Sequence, residues 1–139
     1  FPSPQWLALN PRRNLMLRNL ISLSGIAFAA LALVTVALAA TPETKNGVTT
    51  IHLDQYNGYF AAKETLAGLE PGTYEFVITN KAEKMVGWQI QNAATQEQLD
   101  MFPLQPGETG TSTVEITDDG FRYRCPINPT PWYEVGVGG

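Results

Sequence analysis

Hydrophobic and polar positions follow two different patterns along the chain, and the change between them divides the sequence in two. Residues Leu20 to Ala40 form a predominantly apolar run of 21 residues without a charge. Because a helix needs about 20 such residues to cross the hydrocarbon core of a membrane, the run predicts a transmembrane helix over residues 20–40. From Val48 onward, apolar positions recur at every second residue, which is typical of strands with one buried face.

The alternating region predicts an all-β domain over residues 48–139. The predicted strands are Thr49–Leu53, Leu66–Leu69, Thr73–Thr79, Gly87–Gln91, Thr111–Thr117, Gly120–Cys125 and Tyr133–Val137. Turn sequences separate them, among them Glu70-Pro71-Gly72 and Gln105-Pro106-Gly107. Short strands at this spacing indicate an antiparallel sandwich or barrel, with irregular or short helical links at residues 57–63 and 93–99.

The alternation also assigns faces to the predicted strands. On Gly120–Cys125, the side chains of Phe121, Tyr123 and Cys125 share one face, and Arg122 and Arg124 share the other. The first face is expected in the core and the second in solvent.

Charges around the apolar run predict its orientation. Arg12, Arg13 and Arg18 precede the run, whereas Lys45 alone follows it closely. Since positive flanks stay in the cytoplasm, we expect a single-pass protein of the bacterial inner membrane with a periplasmic C-terminal domain. Residues 1–19, interrupted by prolines, are predicted as a cytoplasmic or interfacial tail, and residues 41–47 as a linker.

Two features of the run leave alternatives open. Ala37-Leu38-Ala39 also fits a signal-peptide cleavage site, although the run exceeds the roughly 7 to 15 apolar residues of a signal core, which favours an uncleaved anchor. Ser22, Gly25, Ala29 and Ala32 recur at three- and four-residue spacing, so they predict a helix face that packs against another subunit. Alanine is nevertheless common in any spanning helix.

Charge and cysteine content narrow the function classes. From Thr41 onward, six Lys and Arg residues stand against all 13 Asp and Glu residues, a formal charge of −7. A domain with this negative charge is not expected to bind nucleic acid, because such binding requires positive side chains that neutralise the phosphates. The single cysteine, Cys125, allows no intrachain disulfide.

Three segments of the β region resemble a known family. Gly72-Thr73-Tyr74-Glu75-Phe76-Val77-Ile78-Thr79-Asn80 resembles a family strand that ends in Asn, and Pro106-Gly107-Glu108-Thr109 resembles a family turn. Gly120-Phe121-Arg122-Tyr123-Arg124-Cys125 is similar to the strand that delivers a copper thiolate. Together they resemble the cupredoxins, which include the plastocyanins, over residues 48–137. The resemblance implies a Greek-key β-sandwich.

The resemblance also implies positions for copper ligands, which in this family are two His, one Cys and a Met. These positions hold Val86, Cys125, Asn128 and, for the Met, Trp132 or Tyr133. Three of the four are unsuited to copper, so no cofactor is expected. The single histidine, His52, is predicted on the surface, and Cys125 is predicted as a small buried side chain.

Aromatic residues near these positions predict a contact surface for a partner. Trp88, Trp132 and Tyr133 are assigned to it, because aromatic residues supply much of the energy of protein contacts. A buried tryptophan that fills the vacated copper pocket is the alternative.

These features together favour a non-catalytic accessory subunit of a membrane complex, and the resemblance to cupredoxins implies a photosynthetic or respiratory electron-transfer chain as its host. Its expected partners are other membrane subunits, the lipid bilayer and a soluble protein at the outer face. No nucleophile and base occur together in the sequence pattern, so an enzyme is not expected. The alternative is a membrane-anchored copper-binding or electron-transfer cupredoxin with an atypical site at Cys125.

Overall fold

The computed structural model describes residues 38–138, and the strands of this part form two sheets. The strands are β1 (Glu43–Lys45), β2 (Val48–Gln55), β3 (Phe60–Ala62), β4 (Gly72–Asn80), β5 (Val86–Asn92), β6 (Gln98–Leu104), β7 (Thr109–Ile116), β8 (Phe121–Arg124) and β9 (Tyr133–Val135). One sheet has the order β1-β2-β4-β7, with β3 also paired to β2, and the other has the order β6-β5-β8-β9. The predicted all-β sandwich is thereby confirmed for residues 38–138.

The pairing of β2 with β4 departs from the predicted antiparallel arrangement. Val48 to Gln55 pair in parallel with Thr73 to Asn80, whereas the other strand pairs are antiparallel. A parallel pair needs a crossover connection rather than a tight hairpin. Residues 56–71 supply it, and their β3 segment pairs back onto β2.

Aromatic side chains fill the core between the sheets. Trp88 from the second sheet lies with its ring centroid 5.5 Å from that of Phe76 and 5.3 Å from that of Tyr123. Phe76 in turn lies 5.3 Å from Phe121. Trp88, Phe76 and Phe121 have no exposed surface. Such large rings bury about 150–250 Å² each.

Strand β5 is buried on both faces near its start. Val86, Trp88 and Ile90 point into the core, and the outward residues Gly87 and Gln89 are buried too. Pro126 packs over Gly87, where a Cβ atom would lie 3.0 Å from the proline ring. The simple alternation predicted for this strand therefore understates its burial.

Strand β6 was not predicted, and its sequence explains why. Residues 98–104 contain Asp100 and Pro103, which weaken a strand pattern. Proline is tolerated here because β6 is at the edge of its sheet, where one side of the strand needs no hydrogen-bond donors. Asp100 accepts a hydrogen bond from the Ser112 hydroxyl of β7 at 2.7 Å, which joins the two sheets.

The predicted strand Leu66–Leu69 is wrong. This segment forms a turn, with Gly68 at φ +73°, where most residues with a Cβ atom are disfavoured. Strand β3 lies instead within residues 57–63, which were predicted as an irregular or short helical link. Leu66 and Leu69 still pack on the core, so their apolar character reflects burial rather than a strand.

Residues at the start of the described part are extended. Ala40 forms a parallel bridge with Glu64, in which the Ala40 N–H donates to Lys63 O at 3.2 Å. Residues 38–40, the end of the predicted membrane span, are therefore not helical. The segment predicted as a linker, residues 41–47, contains β1.

Among residues 38–138, no helix has the length and apolar character to cross a membrane. The predicted tail at residues 1–19 and most of the predicted span lie outside the described residues. So does the predicted helix face of Ser22, Gly25, Ala29 and Ala32.

Candidate functional site

The positions that resemble copper-ligand positions lie at one end of the sandwich. This end, here termed the loop end, consists of residues 56–59, 81–85, 105–108 and 125–132. Strand register brings these loops together, because β2 and β4 run in parallel and β8 runs antiparallel to β5.

Two buried amide side chains hold the loops in place. Gln55 donates from Nε2 to Gly87 O at 2.8 Å, and its Oε1 accepts the Gly58 N–H at 2.6 Å. Asn80 donates from Nδ2 to Lys84 O at 2.9 Å and to Leu104 O at 3.0 Å. Because buried polar groups are costly unless they are hydrogen-bonded, these contacts fix the loops against each other.

Val86 and Cys125 lie in the core beneath the loop end. Neither side chain has exposed surface. The Cys125 Sγ accepts the backbone N–H of Asn128 at 3.4 Å. Cys125 belongs to the same core cluster as Trp88. Cys125 is buried, as predicted for a small apolar side chain.

Asn128 and Tyr133 connect the loop after β8 to the loop after β2. Asn128 donates from Nδ2 to Asn57 O at 2.9 Å. The Tyr133 hydroxyl accepts the Phe60 N–H at 3.1 Å, and its ring stacks on that of Tyr123 at 5.0 Å and 13°. Both side chains therefore have structural contacts that use their polar groups.

The donor set at these positions does not fit a copper ion. Val86 has no donor atom, and the amide of Asn128 is a poor substitute for imidazole. His52 faces out of the first sheet, where its Nδ1 lies 2.7 Å from Glu64 Oε2, as expected for a surface histidine. Within the described part of the chain, no group of three or more His, Cys, Asp or Glu side chains is arranged so that it could hold a metal ion.

Trp88 was predicted at a contact surface, and this prediction is wrong. Its side chain is completely buried, because β5 points it between the two sheets. Its Nε1–H is also buried and has no hydrogen-bond partner among the described residues. An unpaired N–H of this kind lowers the stability gained from packing the ring.

Trp132 is half-buried and packs against two arginines on the outer side of the second sheet. The guanidinium carbons of Arg122 and Arg124 lie 4.1 and 4.2 Å from the centre of its ring. These are cation–π distances. The outer position of both arginines was predicted by the strand alternation, but their contact with Trp132 depends on the register of β8 and β9 and was not predicted.

Open grooves flank the loop end. One of about 470 Å³ is lined by Asn57, Gly58, Tyr59, Thr130, Pro131, Trp132 and Tyr133. A second, of about 260 Å³, is lined by the apolar residues Met101, Phe102, Pro103, Pro126 and Ile127. Tyr59 and Ile127 are 61% and 45% exposed, so large apolar side chains face solvent here.

Burial changes the acidity of one aromatic side chain near the site. Desolvation raises the pKa of Tyr123 above its usual value of 10, and the neighbouring phenol of Tyr133 raises it further. The Tyr123 phenol therefore stays neutral throughout the physiological range and is suited to packing.

No protein-family model and no curated protein matches the chain.

Proposed function

We propose that this chain is a non-catalytic accessory subunit of a membrane protein complex in a photosynthetic or respiratory electron-transfer chain. A single transmembrane helix holds it in the complex, and a cupredoxin-like Greek-key domain on the periplasmic side stabilises the complex or offers a docking surface.

The contacts of the loop end carry this proposal. Val86 packs in the core, Asn128 bonds to Asn57, and the Tyr133 hydroxyl holds the backbone of Phe60. Because these side chains are held by contacts within the domain, the loop end is expected to present a rigid surface. Electron transfer through copper would instead require imidazole and thiolate ligands at these positions.

Strand placement supports a cupredoxin-like domain. Cys125 directly follows β8, and Val86 is the first residue of β5. The resemblance assigns both to copper positions, and both are buried at the same end of a two-sheet sandwich. The proposal therefore includes a relationship to cupredoxins through fold, without their metal chemistry.

Exposed side chains at the loop end support docking. Tyr56, Tyr59 and Ile127 are each more than two-fifths exposed, and the two grooves lie beside them. Aromatic and apolar groups of this kind, concentrated at one end, are characteristic of protein interfaces.

Copurification tests the proposal. Native membranes are solubilised in mild detergent, separated by size, and probed for this chain by mass spectrometry. We expect it to elute with a multisubunit membrane complex. Elution only as a free monomer would contradict the proposed role.

A matched pair of variants tests the proposed helix face. Ala29→Leu adds bulk to the face formed with Ser22, Gly25 and Ala32, whereas Ala27→Leu adds the same bulk about 200° around the helix. We expect Ala29→Leu to reduce copurification and Ala27→Leu to leave it unchanged. Equal effects would contradict docking through this face.

Elemental analysis distinguishes the proposal from the alternative of an atypical copper site at Cys125. The alternative requires one copper per chain, lost in Cys125→Ser. We expect no stoichiometric copper in the purified protein or in that variant.

A further inference from the structure

Arg122 and Arg124 form a cationic surface on an acidic domain. Both project from the outer face of β8 and contact the ring of Trp132, so their guanidinium carbons lie within about 8 Å of each other. We term these three residues the Arg–Trp face.

Hydrogen bonds to two glutamines of the neighbouring strand β5 orient both guanidinium groups. Arg122 donates from Nε and Nη2 to Gln91 Oε1 at 3.0 and 2.8 Å. Arg124 donates from Nε to Gln89 Oε1 at 3.1 Å, and Gln89 in turn donates to Gln98. Among the described residues, neither Nη group of Arg124 has an acceptor. The side chain is thus held in place with its outer donors available.

Among the described residues, no carboxylate forms an ion pair with either arginine of this face. All 13 Asp and Glu residues lie within residues 38–138, and none forms an ion pair with either arginine. Glu134 is opposite Arg122 in the strand register, yet Arg122 bonds to Gln91 instead. Two adjacent guanidinium groups without a carboxylate partner attract an external anion.

We infer that the Arg–Trp face binds an extended acidic segment of a partner protein, in which two carboxylates are two residues apart. This inference deepens the proposed function and rests on it. Arg122 and Arg124 have the same two-residue spacing on β8, about 7 Å along a strand, and an extended partner segment repeats it. Each guanidinium fork matches a carboxylate in two parallel hydrogen bonds.

The surroundings of the face favour a protein segment over a free anion. Trp132 contacts the arginines and also lines the groove of about 470 Å³ beside Tyr59 and Pro131. A peptide can place carboxylates on the arginines and an apolar side chain in this groove. An inorganic anion can contact the arginines but has no apolar group for the groove.

Peptide titration of the full-length protein in nonionic detergent tests the inference. The probe is Glu-Thr-Glu-Thr-Glu-Thr-Glu, and the comparison peptide Glu-Glu-Thr-Thr-Glu-Glu-Thr has the same composition but no two glutamates that are two residues apart. Binding is measured by calorimetry at low salt, and the Arg Nε–H resonances are followed by NMR. We expect the alternating peptide to bind more tightly and to shift the resonances of Arg122 and Arg124.

Paired variants separate the face from the general charge of the domain. Arg122→Gln with Arg124→Gln is expected to weaken binding of the alternating peptide about tenfold or more. Lys81→Gln with Lys84→Gln removes the same charge from exposed residues of the loop end, and is expected to change binding less than about twofold. Arg122→Lys with Arg124→Lys keeps the charge and is expected to weaken binding several-fold, because lysine lacks the planar fork.

Several results would overturn the inference. The first is an equal loss of peptide binding in the arginine-to-glutamine pair and the lysine-to-glutamine pair. The second is no binding of either peptide. The third is displacement of the peptide by inorganic phosphate under conditions in which acetate has no effect. Self-association of the protein that is abolished by the arginine-to-glutamine pair would assign the face to a second copy instead. Peptide binding without copurification would contradict the proposed membrane complex and leave this face supported.

Discussion

Both faces of β8 contact aromatic rings, but the rings differ in their surroundings. On the inner face, Phe121 and Tyr123 pack within a core that surrounds Trp88. On the outer face, Arg122 and Arg124 contact the ring of Trp132. Consecutive residues of one short strand therefore contribute to different properties. The inner face supports the stability of the sandwich, and the outer face provides a charged surface.

Truncation of the two tryptophans gives the largest expected difference between the faces. Trp88→Ala removes a completely buried ring and should lower the free energy of unfolding by about 3–5 kcal/mol. Trp132→Ala removes a half-buried ring with two cation–π contacts and should lower it by about 1–2 kcal/mol. Denaturant unfolding of the full-length protein, followed by circular dichroism, measures both values. Similar losses would show that the outer ring is as important to stability as the inner one.

Trp88→Phe refines this test. The substitution shrinks the ring but also removes the buried Nε1–H that has no acceptor in the described part of the chain. Since an unpaired buried donor costs about 1–3 kcal/mol, the two effects oppose each other. We expect a much smaller loss than in Trp88→Ala. A loss as large as that of the alanine variant would mean that ring volume alone determines the effect.

A substitution at Gly120 tests whether the turn before β8 holds this strand in place. Gly107, in the turn between β6 and β7, provides the comparison. Gly120 has φ +82°, and a Cβ atom there would lie 2.6 Å from the carbonyl oxygen of Val135. Gly107 has φ +80° with no atom within 4 Å of such a Cβ. Gly107→Ala should cost about 1 kcal/mol through backbone strain alone, and Gly120→Ala about 1–3 kcal/mol more because β9 must shift. Thermal unfolding compares them, and equal melting temperatures would contradict the predicted clash.

Alkaline pH is expected to lower the stability of the fold through Tyr123 on the inner face of β8. Burial raises the pKa of Tyr123, so above about pH 10 the unfolded chain releases a proton that the folded chain retains. Stability is therefore unaffected by this group below pH 10 and falls by about 1.4 kcal/mol per pH unit above it. Tyr74, whose pKa is also raised chiefly by burial, adds to the slope.

Urea unfolding from about pH 9 to 12 measures this loss. Tyr123→Phe should reduce the slope, whereas Tyr56→Phe, at an exposed position, should leave it unchanged. An unchanged slope in Tyr123→Phe would show that other groups cause the alkaline loss.

The smallest expected effect concerns the outer face. Arg124→Gln removes one partly exposed cation–π contact and a hydrogen bond to Gln89. Surface contacts of this kind contribute about 0.5–1 kcal/mol, so the unfolding free energy should change by no more than that. A larger loss in denaturant unfolding would make this face part of the structural framework.

Strong alternation made the long strands predictable. The pattern of β4, with Tyr74, Phe76 and Ile78 on its buried face, identified both the strand and the core. The parallel pairing of β2 with β4 was not predictable. The alternation of buried and exposed side chains along one strand carries no information on the direction of its neighbour. Short or interrupted strands such as β3 and β6 were missed for lack of enough alternating residues.

The loop end was predictable in part. The sequence identified Cys125 and the positions of Val86, Asn128 and Tyr133 through a resemblance of motifs. It did not predict which partners they contact, because those depend on how loops far apart in sequence meet. Gln55, which bonds to the backbone of Gly87 and Gly58, gave no sequence signal beyond being a polar residue in an alternating strand.

Pro103 in the edge strand β6 has a consequence for behaviour at high concentration. Its backbone nitrogen carries no hydrogen, so the strand cannot present a full row of donors to an incoming strand. Ser112 and Asp100 also tie this edge to β7. Both features disfavour the addition of a further strand, and hence polymerisation, at this edge.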